Sequence, residues 1–205
     1  MYVRGVRLRL AQLYGGLVLY GFSSSLLVLA GLGLDPWDVF HQGLARHTPL
    51  AIGTWAILVG VAVLLLWIPL RQRPGIGTLS NVVLVGATMD LVLGHVGAPH
   101  ALGARVACLV AGVFLNGVAT GAYIGAGLGP GPRDGLMTGL AARGHSIRVV
   151  RTGLEVTVLV TGWLPGGTVG VGTVLYALSI GPLAHVFIPL FARGRATPEH
   201  ALEAV

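Results

Sequence analysis

Lysine is absent from this 205-residue chain, cysteine occurs once, and only 10% of the residues are charged. Without lysine there is no Gly-x-x-x-x-Gly-Lys phosphate loop, and neither His-Glu-x-x-His nor Gly-x-Ser-x-Gly occurs. The chain is therefore not expected to be an enzyme, and nothing in it calls for a cofactor. A single cysteine, Cys108, excludes an intramolecular disulfide and a cysteine metal cluster, and the seven histidines are too scattered for a metal site. A soluble domain carries roughly 25% charged residues. With 54% hydrophobic residues the chain is too apolar for disorder, and its 33 glycines keep no collagen period. What remains is an integral membrane protein.

A helix needs roughly 20 apolar residues to cross the hydrocarbon. Six spans are expected, over 10–32, 50–70, 76–96, 106–129, 149–165 and 169–191. The fifth is the weakest, being short and holding Arg151 and Glu155. Two segments, 35–47 and 131–145, are too short and polar to cross and read as short interfacial or re-entrant helices. The first apolar run is too long for a secretory signal. All 13 basic residues are arginine. A cytoplasmic N-terminus leaves only Arg46 and Arg105 outside, so the positive-inside rule expects both termini in the cytoplasm. Placed beside span ends, the arginines fit topology and anionic headgroups rather than nucleic acid.

The chain also repeats itself. At an offset of 96, Gly16 pairs with Gly112, Gly21 with Gly117, Ala30-Gly31-Leu32-Gly33 with Ala126-Gly127-Leu128-Gly129, Trp67 with Trp163 and Pro69 with Pro165. After one deletion the offset becomes 95 and Gly77-Thr78 pairs with Gly172-Thr173. Each copy, 9–96 and 105–191, reads as span, short helix, span, span, within a single membrane domain that ends in a tail at 192–205 whose Thr197-Pro198-Glu199 looks like a helix start. Three spans per copy insert the copies in opposite senses. The expected fold is thus all-α, six transmembrane helices as two inverted three-helix repeats, a plan common among secondary transporters.

The shared motif is Gly-Leu-Gly-x-x-Pro-x-Asp-x-x-x-x-Gly-Leu-Ala, at 31–45 and 127–141. Its glycines permit a reversal, its proline suits a first helical turn, and its aspartates, Asp38 and Asp134, meet the positive helix end. The motif reads either as a capped helix start or as a gate touching a polar solute. With the two N-termini at opposite faces, Asp35 and Trp37 would make one mouth acidic and aromatic and Arg133 the other basic, or Arg133 simply obeys the positive-inside rule.

At these residues the chain resembles the YczE/YyaS/YitT family of bacterial membrane proteins, particularly its YczE-like branch. The resemblance lies in GLGLDPWDVFHQGLA and TPLAIGTW in the first half, and in LGPGPRDGLMTGLA, IRVVRTGLEVTVLVTGW and GGTVGVGT in the second. It implies a multi-pass protein of the bacterial inner membrane and carries over no substrate.

An ionisable group at the bilayer centre costs about 2.5–3.5 kcal/mol on insertion scales, so each needs a partner or water. Asp90 and His185 are repeat partners, the acid near the outer end of its span and the imidazole near the inner end of its own. With Glu155 they are the candidate proton-coupling groups. The competing readings pair Asp90 with Arg105 or water, and Glu155 with Arg151 one turn away. Tyr20 and Asn116, also repeat partners, fall mid-span, as solute contacts or as interhelical hydrogen bonds. The function expected is a small permease for a small polar or amphiphilic solute, in contact with lipid, as a monomer or a homodimer. The alternatives are the substrate-binding subunit of an energy-coupling-factor transporter, which needs transporter partner subunits, and a non-transporting scaffold.

Overall fold

A computed structural model describes residues 2–192; the tail 193–205, with Arg193, Arg195 and the expected helix start at 197–199, lies outside the described residues, as does the side chain of Arg4. The described residues form eight helices: α1 (Tyr2–Ala30), α2 (Pro36–Ala45), α3 (Ile52–Leu70), α4 (Ile76–His95), α5 (Leu102–Gly125), α6 (Pro132–Ala141), α7 (Ile147–Trp163) and α8 (Val171–Phe191). The order long, short, long, long occurs twice, and α2 and α6 are offset by 96 residues. Five helices, α1, α3, α4, α5 and α8, are long and apolar enough to cross a membrane. The fifth expected span, α7, has 17 residues, about 25 Å of helix against a hydrocarbon core of about 30 Å. Large aliphatic side chains face outward on the long helices, among them Leu65, Ile68, Val171 and Leu178.

The helices α1 and α5 run antiparallel in close contact, because small residues line both. A Cβ on Gly16 would meet Ala122 and Tyr123, and one on Gly112 would meet Leu27 and Ser23. Each helix ties down the end of the other. The Arg9 guanidinium donates to the carbonyls of Ala126 (2.9 Å) and Gly127 (2.7 Å). Its repeat partner Arg105 donates to those of Ala30 (2.7 Å) and Gly31 (2.9 Å). Arg105 is therefore committed to capping α1 and is not the partner of Asp90.

After α1 and after α5 the chain turns back on itself. Gly31 and Gly33 have φ of +60° and +118°, Gly127 and Gly129 +62° and +124°, a region that favours glycine. The reversed segments are stitched to the start of a long helix in the other half: Gly172 N–H donates to Leu32 O and Gly77 N–H to Leu128 O, both at 2.8 Å. Each short helix therefore begins in the interior. Its far end packs on the other half, with Gly43 of α2 beside Gly162 and Pro165, and Gly139 of α6 beside Leu70 and Gln72. The equivalent residues His47 and Arg143 fasten those ends to the carbonyls of Pro165 and Pro69.

Candidate functional site at the junction of two half-helices

The first turns of α2 and α6 meet in the core. Pro36 and Pro132 start the two helices, where a missing N–H costs nothing. Each start is capped by a carboxylate. Asp35 accepts from the N–H groups of Trp37 (3.0 Å) and Asp38 (3.2 Å). Asp134 accepts from Gly131 N–H (3.0 Å) and from the Tyr123 hydroxyl (2.9 Å). Both helix starts are thus capped, by the motif aspartate Asp134 in the second copy but by Asp35 rather than the motif's Asp38 in the first. The expectation of separate acidic and basic mouths is corrected, because the positive-φ reversals carry both N-termini inward to one cluster.

At its centre the Arg133 guanidinium lies 4.9 Å from the ring centroid of Trp37. Its Nη1 is 3.4 Å from Asp35 Oδ1 and its Nη2 3.9 Å from Asp38 Oδ1. Trp37 is fixed from behind by Val63, Trp67 and Leu136. Asp38 Oδ1 is also 3.1 Å from His41 Nδ1. Asp35, Asp38 and His41 are no more than 2% exposed. Asp38 Oδ2, His41 Nε2 and Trp37 Nε1 are buried with no hydrogen-bond partner among the described residues.

A cavity lies on each side of the Trp37–Arg133 stack, and both residues line both cavities. The larger, about 80 Å³, is walled by Tyr20, Asp35, Asp134, Arg151, Glu155 and Tyr176 among others. The smaller, about 30 Å³, is walled chiefly by aliphatic residues of α3 and α4, with His41 and Asn81. Several wall residues are equivalent positions of the repeat. His41 faces one cavity and Met137 the other, and so do Val59 and Glu155, Asn81 and Tyr176, and Val85 and Ile180.

The remaining sequence candidates divide. The Arg151–Glu155 pair forms at 3.0 Å and lines the larger cavity. Tyr20 lines it too, edge-on to Tyr123. Asn116 sits behind the wall, accepting from the Tyr176 hydroxyl (3.0 Å) and donating to Ser23 Oγ (3.0 Å). Asp90 instead caps α3, accepting from Gly53 N–H and Thr54 Oγ1, both at 2.7 Å. His185 is exposed on α8. Of the three coupling candidates, Glu155 alone lines either cavity, while Asp90 is used as a cap and His185 faces outward.

Sequence reasoning passed over His41, Tyr123 and Tyr176. Signals pointed to the first two. His41 is one turn from Asp38 on the same short helix, and Asn116, Thr120 and Tyr123 follow the i, i+4, i+7 spacing of one helix face.

A family model described as a family of unknown function, DUF6198, matches residues 8–189. The chain belongs to that family. Within reach of the DUF6198 chain are an uncharacterised protein of Haemophilus influenzae, 43% identical over 86% of this chain and 82% of the relative, and the uncharacterised membrane protein YczE of Bacillus subtilis, 35% identical over 89% and 86%. The uncharacterised protein YyaS of Bacillus subtilis is 30% identical over 88% and 92%. No solved structure matches. With five apolar helices and a relative called a membrane protein, the chain is a multi-pass integral membrane protein.

Proposed function

We propose that this DUF6198 protein is a small secondary-transporter-like permease built from two inverted repeats, with α7 as its sixth crossing and the bacterial inner membrane as its site. The observation that carries the reading is the pair of cavities, lined in part by repeat-equivalent residues, one on each side of a single partition where two half-helices meet. Half-helix ends at mid-membrane are where transporters of this plan hold solute. Reciprocal capping by Arg9 and Arg105 supports the inversion, because equivalent residues then perform equivalent tasks at opposite ends of an antiparallel pair. The solute passes from one cavity to the other when the Trp37–Arg133 stack parts.

Thiol accessibility tests this. In a Cys108→Ala background, Pro49→Cys and His145→Cys are equivalent exposed positions beyond the two half-helices, and an impermeant methanethiosulfonate should label the first from outside and the second only from the cytoplasmic side. Val59→Cys, in the smaller cavity, should then react only from the side of Pro49→Cys, and Thr120→Cys, in the larger, only from the side of His145→Cys. Labelling of Pro49→Cys and His145→Cys from one side would overturn the inversion. Cavity cysteines closed to both sides would overturn the permease.

A further inference from the structure

The partition has the make-up of a cation site with its occupant already in place. An aromatic face flanked by carboxylates recognises organic cations by the ring quadrupole together with Coulomb attraction. Here the aromatic face and both carboxylates come from four consecutive residues of α2 and its cap, Asp35 to Asp38, while α6 contributes only Arg133. The walls are buried more deeply than the occupant. Asp35 and Asp38 are 2% exposed and Trp37 6%, whereas the Arg133 side chain is 26% exposed, with a cavity on either side to receive it.

Charge points the same way. Four carboxylates, those of Asp35, Asp38, Asp134 and Glu155, gather around two guanidiniums, and Arg151 is paired with Glu155. The two helix N-termini add about half a positive charge each. Moving Arg133 aside leaves acid uncompensated, and Asp38 Oδ2 has no partner even while Arg133 is in place. An anion finds less. The helix N-termini that would attract it already hold Asp35 and Asp134, and Arg133 is engaged. The tyrosines Tyr20 and Tyr176 on the larger side offer further ring faces.

We propose that the junction binds a small organic cation of the guanidinium or methylated-ammonium class, and that Arg133 is a tethered stand-in which fills the site when it is empty and gives way when the cation enters. The inference names the solute class of the permease proposed above, yet binding itself requires no transport. The two readings can therefore fail separately.

The test is rescue of Arg133→Ala by methylguanidinium and tetramethylammonium, with sodium chloride matching the ionic strength. Thermal unfolding of the purified full chain in detergent is the readout. Arg133→Ala is expected to regain stability at millimolar concentrations of either cation and to bind it at least about tenfold more tightly than the wild type, whose own arginine competes. Asp35→Asn in the same background is expected to abolish the rescue. Should Arg133→Ala not fold, Arg133→Gln carries the same comparison, and quenching of Trp37 fluorescence in the wild type, with Trp37→Phe as control, reads cation entry directly. Rescue by acetate or sulfate in place of the cations, or no cation response in either variant or in Trp37 fluorescence, overturns the proposal. Cation binding without flux of labelled tetramethylammonium into proteoliposomes leaves the cation site standing and removes the permease.

Discussion

The two cavities that meet at Trp37 and Arg133 share several equivalent wall positions, but one wall carries Asp35, Asp134, Arg151 and Glu155 while the other is chiefly aliphatic, with four valines. The positions that shape the backbone behave oppositely. Gly33 and Gly129, Thr78 and Thr173, and Arg9 and Arg105 are the same residue in both halves and make matching contacts. Close packing explains the division. Where two backbones nearly touch, only one side chain fits, so both copies retain it. A cavity wall has room, so its two copies are free to become a polar chamber and an apolar one.

The strongest challenge to that division is a side chain forced into both reversals. A Cβ on Gly33 would lie 2.7–2.8 Å from the backbone N atoms of Gly170 and Thr173, and one on Gly129 would lie 2.8 Å from Thr78 Oγ1 and 3.0 Å from Gly75 Cα. With the left-handed φ added, Gly33→Val and Gly129→Val should each cost on the order of 3 kcal/mol or more, by thermal unfolding in one detergent. Nearly equal losses are expected. A difference beyond about 1 kcal/mol would show that the scaffold is less symmetric than its contacts.

Next come the two capping acids, where the halves part company. Asp35→Asn keeps an acceptor for the helix start but leaves Arg133 without its nearest carboxylate. Breaking a buried pair costs about 3–5 kcal/mol; because Arg133 is 26% exposed, about 2 kcal/mol is expected here. Asp134→Asn retains a cap and loses part of one hydrogen-bond set, for about 1 kcal/mol. Equal losses would mean that the Arg133–Asp35 contact is not what distinguishes the two helix starts.

The repeat-equivalent tryptophans give a smaller effect. Trp67 is 2% exposed and its Nε1–H donates to Pro132 O (3.0 Å), whereas Trp163 is 60% exposed. Trp67→Phe is expected to cost about 1–2 kcal/mol and Trp163→Phe to stay within about 0.5 kcal/mol.

The pair of tryptophans also marks how far the sequence could be read. Helix order, the motif and the internal offset are legible because they rest on apolar runs and on Gly, Pro and Asp, whose backbone preferences are strong. Trp67 and Trp163 look alike in sequence, and only tertiary packing buries one and exposes the other. The place of Asp90 was hidden for the same reason, since a carboxylate within reach of a bare helix N-terminus becomes its cap. The meeting of Trp37 with Arg133, 96 positions apart, depends on two chain reversals acting together, and the sequence leaves open whether each short helix is interfacial or re-entrant.

The smallest stability change belongs to the one ion pair that lines only the charged cavity. Arg151 and Glu155 are a turn apart on α7, with side chains 23% and 32% exposed, so Glu155→Gln should cost about 0.3–0.5 kcal/mol. Its effect on the chamber is larger than its effect on the fold. Removing one negative charge from a wall shared with Thr120 changes the local potential by on the order of 1 kcal/mol per unit charge, about fivefold in rate. Thr120→Cys should therefore react about fivefold more slowly with a cationic methanethiosulfonate when Glu155→Gln is added, and faster with an anionic one, while Val59→Cys in the aliphatic chamber keeps its rates. If Val59→Cys shifts equally, the two chambers are one electrostatic compartment, and the Trp37–Arg133 stack does not divide them.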